Sequence, residues 1–304
     1  LGYILVTLWV IVTCTFFMMK NLPGTPFDAE RFSIMTPQQQ ERVLEMYGLN
    51  DSLPMQYVKY IKNMLKGDLG TSFTYVNQDV SKVITGRLGP SALIGIQAVL
   101  IGLAIGLILG ILAAWKHNSG IDYFTMILAV LGVSVPNFVA AALLQYYIGL
   151  KWGVLPVGFW TGWNCSVLPS IALSFSATAM VARFMRTEML DVLDQDYIVT
   201  ARAKGLSQMK VLMRHAVRNS ILPVVTILGP IVVNLMTGSL AVENIFSIPG
   251  IGSLFVDCIK ANDYPVIMGI TIFYAAFYML IVLLVDLAYS LIDPRIRLAK
   301  GKES

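Results

Sequence analysis

The chain has 304 residues, 56% of them hydrophobic and only 13% charged, with a net charge of +4 and a mean hydropathy of +0.70. Roughly a quarter of the residues of a soluble domain are charged, so a soluble globular fold is excluded; the few basic residues lie between apolar blocks rather than on an arm interleaved with aromatics, which argues against a nucleic-acid partner. Cys14, Cys165 and Cys258, with His117 and His215, show no metal-ligand spacing, so no metal site is expected.

Residues 1–19 form the first apolar block, long enough to cross a bilayer, and its cytoplasmic start is expected to precede Leu1. A polar stretch follows over 20–88 and reads as a small helical insertion on the outer side. In it, Thr36-Pro37-Gln38-Gln39 combines an N-cap Thr, a Pro in the first turn and a Gln at the third position, so a helix is expected there, ending near Gly48. A second is expected over 54–66, with Met55, Val58, Ile61 and Leu65 on one stripe and Gly67 past its end. Such a cap either packs on the membrane face or touches substrate.

Further apolar blocks at about 91–114, 123–150, 167–182, 220–242 and 264–286 bring the spans to six and place a transmembrane core over 89–294. The predicted fold is therefore an all-α integral membrane protein, a six-helix bundle carrying the insertion. Lys116, Arg183, Arg186, Arg202, Lys204, Lys210, Arg214 and Arg218, with the basic tail 295–304, collect on one side, whereas the short loops of the other side hold only Lys151 and Lys260. The positive-inside rule makes the first side cytoplasmic, with both termini there. Cys165 and Cys258 then fall in outside loops, where a disulfide between them is open. The last outside loop, 243–263, carries an amphipathic run with Leu254, Phe255, Cys258 and Ile259, read as an interfacial helix or a movable gate.

The cytoplasmic loop 183–219 is longer than a connection between antiparallel helices requires. Asp196 is expected to N-cap a helix through Val199, Thr200, Ala201, Arg202, Ala203 and Lys204, with Gly205 supplying the left-handed residue that ends it before Leu206. Ser207 is expected to cap a second helix through Arg218, leading to Leu222-Pro223 at the start of span five. A stiff helix protruding from the spans could act as a lever for a cytoplasmic partner; a basic amphipathic loop lying on anionic lipid is the alternative.

Within the spans there is no Asp, Glu, Lys or Arg before Asp286 at the end of span six. Ion-coupled carriers usually keep ionisable groups at mid-membrane, so an external energy source is expected. Asn137, which follows Pro136, together with Gln145, Asn234 and Thr237 are candidates for the translocation path, because neutral donors and acceptors can pass a peptide backbone without trapping its charges. Hydrogen bonding between helices is the other use of such residues.

Thr200-Ala201-Arg202-Ala203-Lys204-Gly205-Leu206, followed by Arg214-His215-Ala216 and Leu222-Pro223, resembles the EAA loop of permease subunits of bacterial ABC importers for peptides. The branch is the one shared by oligopeptide, dipeptide and nickel uptake, of the oligopeptide permease B type in the binding-protein-dependent transport family. The likeness extends through Leu22-Pro23-Gly24-Thr25-Pro26, Tyr47-Gly48-Leu49-Asn50-Asp51, Gly67-Asp68-Leu69-Gly70-Thr71-Ser72, Gly238-Ser239-Leu240-Ala241-Val242-Glu243, Ile248-Pro249-Gly250-Ile251-Gly252, Asp263-Tyr264-Pro265 and Asp293-Pro294-Arg295-Ile296-Arg297. Val199 stands where the general pattern has Glu, and the interval to Leu222-Pro223 is longer; both features fit the peptide branch.

The resemblance implies a non-catalytic channel subunit of an importer in the bacterial cell membrane, translocating peptides, with oligopeptides first and dipeptides or nickel as alternatives. It implies that residues 199–206 dock on an ATPase. It also implies a second, homologous permease, two cytoplasmic ATPase subunits that hold the ATP and Mg, and an extracytoplasmic peptide-binding protein, with no cofactor on this chain. The absence of a G-x-x-x-x-G-K-[ST] phosphate loop agrees with that division. A stand-alone channel or secondary carrier would need no partner at the cytoplasmic loop. An intramembrane enzyme finds no catalytic constellation in the spans.

Overall fold

In the computed structural model of the chain, residues 2–21, 32, 34–46, 48–75, 78–236 and 240–292 are described, and their regular structure is helical apart from an isolated antiparallel bridge between Thr71 and Asp79. The helices are α1 (Gly2–Lys20), α2 (Pro37–Met46), α3 (Leu53–Met64), α4 (Val80–Trp115), α5 (Gly120–Ser134), α6 (Asn137–Leu144), α7 (Val167–Leu193), α8 (Asp196–Ala203), α9 (Gln208–Lys210), α10 (Arg218–Met236), α11 (Leu240–Ile245), α12 (Ile251–Lys260) and α13 (Tyr264–Ile292). Among the described residues, five helices are long and apolar enough to cross a membrane, and a sixth span results if the bent pair formed by α5 and by α6 with its continuation is counted as one. This is an all-α, multi-pass membrane protein.

The spans differ from the sequence expectation in three respects. The block at 123–150 is not a straight helix: it breaks at Val135-Pro136, and the two halves are bent by 101°. Pro136 has no N–H to continue the ladder and disfavours helical backbone at Val135, which is extended with ψ at 117°. Span four continues to Leu193 rather than ending at 182, so the first third of the presumed cytoplasmic loop is helix. Span two begins at Val80 and carries Pro90 inside it. Its 36 residues make about 54 Å of helix against roughly 30 Å of hydrocarbon, so α4 extends well beyond the bilayer core.

The chain divides into two compact units, one of Leu1–Gly89 with Gly250–Phe277 and the other of Pro90–Pro249 with Tyr278–Ser304. In the first, α3 packs on α1 through aromatic rings: Tyr60 stacks on Phe16 and Tyr57 on Phe17, with centroids 5.8 and 5.7 Å apart, while Tyr57 Oη and Thr13 Oγ1 lie 2.7 Å apart. The stripe expected to pack is instead open, since Met55, Val58 and Leu65 are all at least half exposed. Rings bury more area per side chain than these aliphatics, and the aromatic face prevails. The predicted cap of α2 is formed in both directions: Thr36 N–H donates to Gln39 Oε1 at 2.9 Å and Gln39 N–H reaches Thr36 Oγ1 at 3.4 Å. A separate core gathers Val80, Ile84, Leu254, Cys258, Val266 and Ile270 around the buried face of α12.

In the second unit α7 is central, with buried side chains from Leu168 to Met189. Helix α4 approaches it along Gly102, Gly106 and Gly110, spaced by four and hence on one face. A Cβ at these positions would meet Ala177 Cβ at 2.7 Å, Val181 Cβ at 2.7 Å and Ala182 O at 2.6 Å, so only glycine permits the approach. This small-residue seam is a common way of packing helices in lipid, where no hydrophobic gain separates protein from solvent.

Candidate functional site

The region between spans four and five folds as the sequence pattern requires, with corrections at its start and end. Helix α8 covers Asp196–Ala203, and its N-cap is Gln195, extended with ψ at 146°, not Asp196. Asp196 takes the first turn, where a carboxylate still complements the helix dipole. At the other end Gly205 has φ at +76°. Its N–H donates to Arg202 O at 2.9 Å and the Leu206 N–H to Ala201 O at 3.4 Å, the paired bonds of a Schellman turn. Ser207 is N-cap of α9, as expected. From there Gln208 to Met236 run without interruption, through a π-helical turn at Val211–Val217, so Leu222-Pro223 lies inside a helix rather than at its beginning.

Helix α8 is braced on one side and free on the other. Ile198 and Ala201 are buried against Val211, Val192 and Leu193, and Asn219 Nδ2 donates to Tyr197 Oη at 3.1 Å. Val199, Thr200, Arg202, Ala203, Lys204 and Gly205 are exposed, as is Leu206. Val199 (60% exposed) and Ala203 are four residues apart and share a face. The result is a short rigid element, fastened to the ends of two long helices, whose outer surface mixes aliphatic and basic groups.

The candidates for a translocation path stand in different settings. Asn137 opens α6 just after the break and is half-buried. Asn234 is exposed on α10, and Thr237 lies outside the described residues. Gln145 donates both amide hydrogens, to Val157 O at 2.6 Å and Ile245 O at 2.7 Å; it fastens a loop and the end of α11 to the bent helix. The bend leaves a cavity of about 890 Å³ between α4, α5, α6 and α7, almost wholly apolar, in which Ser174 and Thr178 are among the few polar groups. Asn137, Gln145 and Asn234 do not line it. Cys14, Cys165 and Cys258 carry free thiols, and Cys165 and Cys258, considered for a disulfide, belong to different units.

Residues not singled out as site candidates hold each unit in shape. Within the first unit the buried carboxylate of Asp263 accepts from Ser72 Oγ, from the N–H of Phe73 at 3.2 Å and from that of Thr74 at 3.0 Å, and it also caps α13 through Val266 N–H at 3.4 Å. Within the second, Ser91 Oγ donates to the buried Glu243 at 2.7 Å. Asp122, also buried, receives both Arg186 Nε and Nη2, the latter at 2.8 Å, with His117 Nδ1 at 3.0 Å. Two of these carboxylates, Glu243 and Asp263, stand in stretches that carry the sequence resemblance, so those stretches include structural knots.

The family model described as "Binding-protein-dependent transport system inner membrane component" matches residues 106–298, and the model for the N-terminal part of such membrane components matches residues 1–89. The chain is 45% identical over 298 residues to a dipeptide transport system permease protein DppB of Lactococcus lactis, covering 98% of this chain and 97% of that protein. It is 44% identical to the DppB of Bacillus subtilis (97% and 95% covered) and 38% identical to the oligopeptide transport system permease protein OppB of Escherichia coli (96% and 95% covered). In fold it is similar to a chain of the MetNI methionine ABC transporter in inward-facing conformations, with a TM-score of 0.60 at 14% identity over 70% of this chain and 97% of that one. Sequence and fold thus agree, and the chain belongs to the family of binding-protein-dependent transport system inner membrane components.

Proposed function

We propose that the chain is one channel-forming subunit of an ATP-driven bacterial peptide importer, working with a second, homologous permease, two cytoplasmic ATPases and an extracytoplasmic peptide-binding protein. The observation that carries this reading is the braced helix α8, closed by Gly205, whose one face is fixed to α7 and α10 while Val199, Ala203 and Leu206 remain uncovered. Such an element transmits force, because it cannot move without the long helices that hold it. The ATPase docks on the uncovered face, and its nucleotide-driven closure pulls α8 and, with it, the membrane helices. ATP and Mg belong to that partner. Both termini and α8 face the cytosol, and residues 20–88 face outside, as the Lys and Arg distribution requires.

Peptides are the cargo, and the greater identity to the dipeptide permeases (45% and 44%) than to the oligopeptide one (38%) supports a dipeptide-length substrate ahead of longer peptides. The test is uptake into vesicles holding the complete transporter. Radiolabelled dipeptide should accumulate against its gradient only with ATP, the binding protein and an intact 196–206. Accumulation by this chain alone, driven by a proton or sodium gradient, would replace the reading by a secondary carrier.

A further inference from the structure

We infer that the first unit holds a site for a small zwitterion, a free dipeptide, in a pocket of about 350 Å³ between α1, α2, α3 and the start of α13. The inference rests on the peptide-importer reading and adds to it a place where this chain itself touches the cargo, on the segment assigned to the outside. The volume is at the small end of ligand pockets, which run from about 300 to 1,000 Å³. The rings of Phe16, Tyr60 and Tyr264 supply apolar wall, and Lys20 and Glu45 supply one charge of each sign.

Two other charged groups at the pocket are already engaged: Lys59 Nζ pairs with Asp51 at 2.6 Å, and Asp68 Oδ1 accepts from Gly70 N–H at 2.8 Å. Lys20 and Glu45 have no ion-pair partner among the described residues. Lys20 is nevertheless half-buried, with its ammonium over the Phe16 ring, 5.8 Å from the centroid. A half-buried charge without a counter-ion is unfavourable unless something supplies one. Tyr60 Oη is buried behind the same wall, closed to solvent, so Tyr60 offers the pocket its ring alone. The half-buried Lys20 ammonium suits a carboxylate, Glu45, exposed at the rim, presents a carboxylate to an ammonium, and the rings suit an apolar body. A dipeptide carries all three.

The experiment uses the complete transporter in nanodiscs, without the binding protein, and equilibrium dialysis of labelled L-alanyl-L-phenylalanine. Saturable binding is expected, at least tenfold weaker for the C-terminal amide and for the N-acetyl form, each tenfold being about 1.4 kcal/mol. Lys20→Met should abolish the preference for the free carboxylate and Glu45→Gln the preference for the free ammonium. Lys20→Arg, which keeps the cation, should retain the preference for the acid, and this serves if Lys20→Met fails to assemble. Absence of saturable binding, equal binding of free and blocked dipeptides, tighter binding of free phenylalanine, or unaltered preferences in Lys20→Met or Glu45→Gln would each overturn the inference. Uptake with the binding protein, measured in vesicles of the same preparation, reads the importer function separately: uptake without this binding sinks the pocket alone.

Discussion

Replacing Gly205 separates the shape of the end of helix α8 from its composition. Gly205 has φ at +76°, and a Cβ built there meets nothing within 4 Å, so a larger residue encounters no steric obstacle in this chain. The whole cost is intrinsic to the left-handed backbone, roughly 1–2 kcal/mol for an ordinary L-residue, less for Asn and more for a β-branched one. That lowers the population with the Schellman turn closed by roughly 5- to 30-fold relative to the opened turn. The opened turn loses the bonds from Gly205 to Arg202 and from Leu206 to Ala201, which hold the exposed tip. Because the buried anchors Ile198 and Ala201 precede the turn, folding and membrane insertion should survive. The expected order of ATP-driven uptake is Gly205 first, then Asn, then Ala, then Val, with Gly205→Val reduced at least about fivefold while the ATPases still hydrolyse ATP. The assay compares peptide uptake with phosphate release in the same vesicles. Wild-type uptake by Gly205→Val would refute the role of the turn, and uptake lost equally in the Asn and Val variants would show that the absence of a side chain, not the backbone angle, is what matters.

Other outcomes follow from packing and charge. Gly106→Val should lower thermal stability in detergent by at least about 1–3 kcal/mol, since its side chain enters where Thr178 O and Val181 Cβ are 2.9 and 2.7 Å from a Cβ, while Gly86→Ala, with open space around it, should change little. Arg186→Met leaves Asp122 buried without its charge partner and should cost about 3–5 kcal/mol, much of it recovered by adding Asp122→Asn; melting curves of the two variants decide this. The Cys258 thiol is pushed up to about 12, first by burial and then by Asp263 and Asp257. Iodoacetamide at pH 8 should therefore leave it unmodified until the protein unfolds. As its unfolded value is 9.0, the neutral thiol's contribution to stability is whole below about pH 9 and is lost as pH rises towards 12; rapid native-state alkylation at pH 8 would contradict the burial.

Much of the region between spans four and five was legible because its signals are local. Gly205 at a helix end, Ser207 before the next helix and Thr36 with Gln39 act through bonds that close within a few residues, and each was found where the pattern put it. Asp196 was misplaced by one position because Gln195 adopts the extended cap conformation without any cap bond from its side chain, leaving no mark in the residue types. The candidates for a path were not legible in the same way. Whether Gln145 faces a channel or holds two carbonyls depends on where Val157 and Ile245 arrive, the second of them 100 residues away.

The amino-acid order by itself determined that this chain spans a membrane, because the cost of moving polar groups out of water is set by each segment's own composition. Only the tertiary structure decided that the third span turns by 101°, that α3 packs by its tyrosines, and that Ser72 finds Asp263 across 191 residues. In each of these the energy belongs to a pair of surfaces, and no single segment carries the record of its partner.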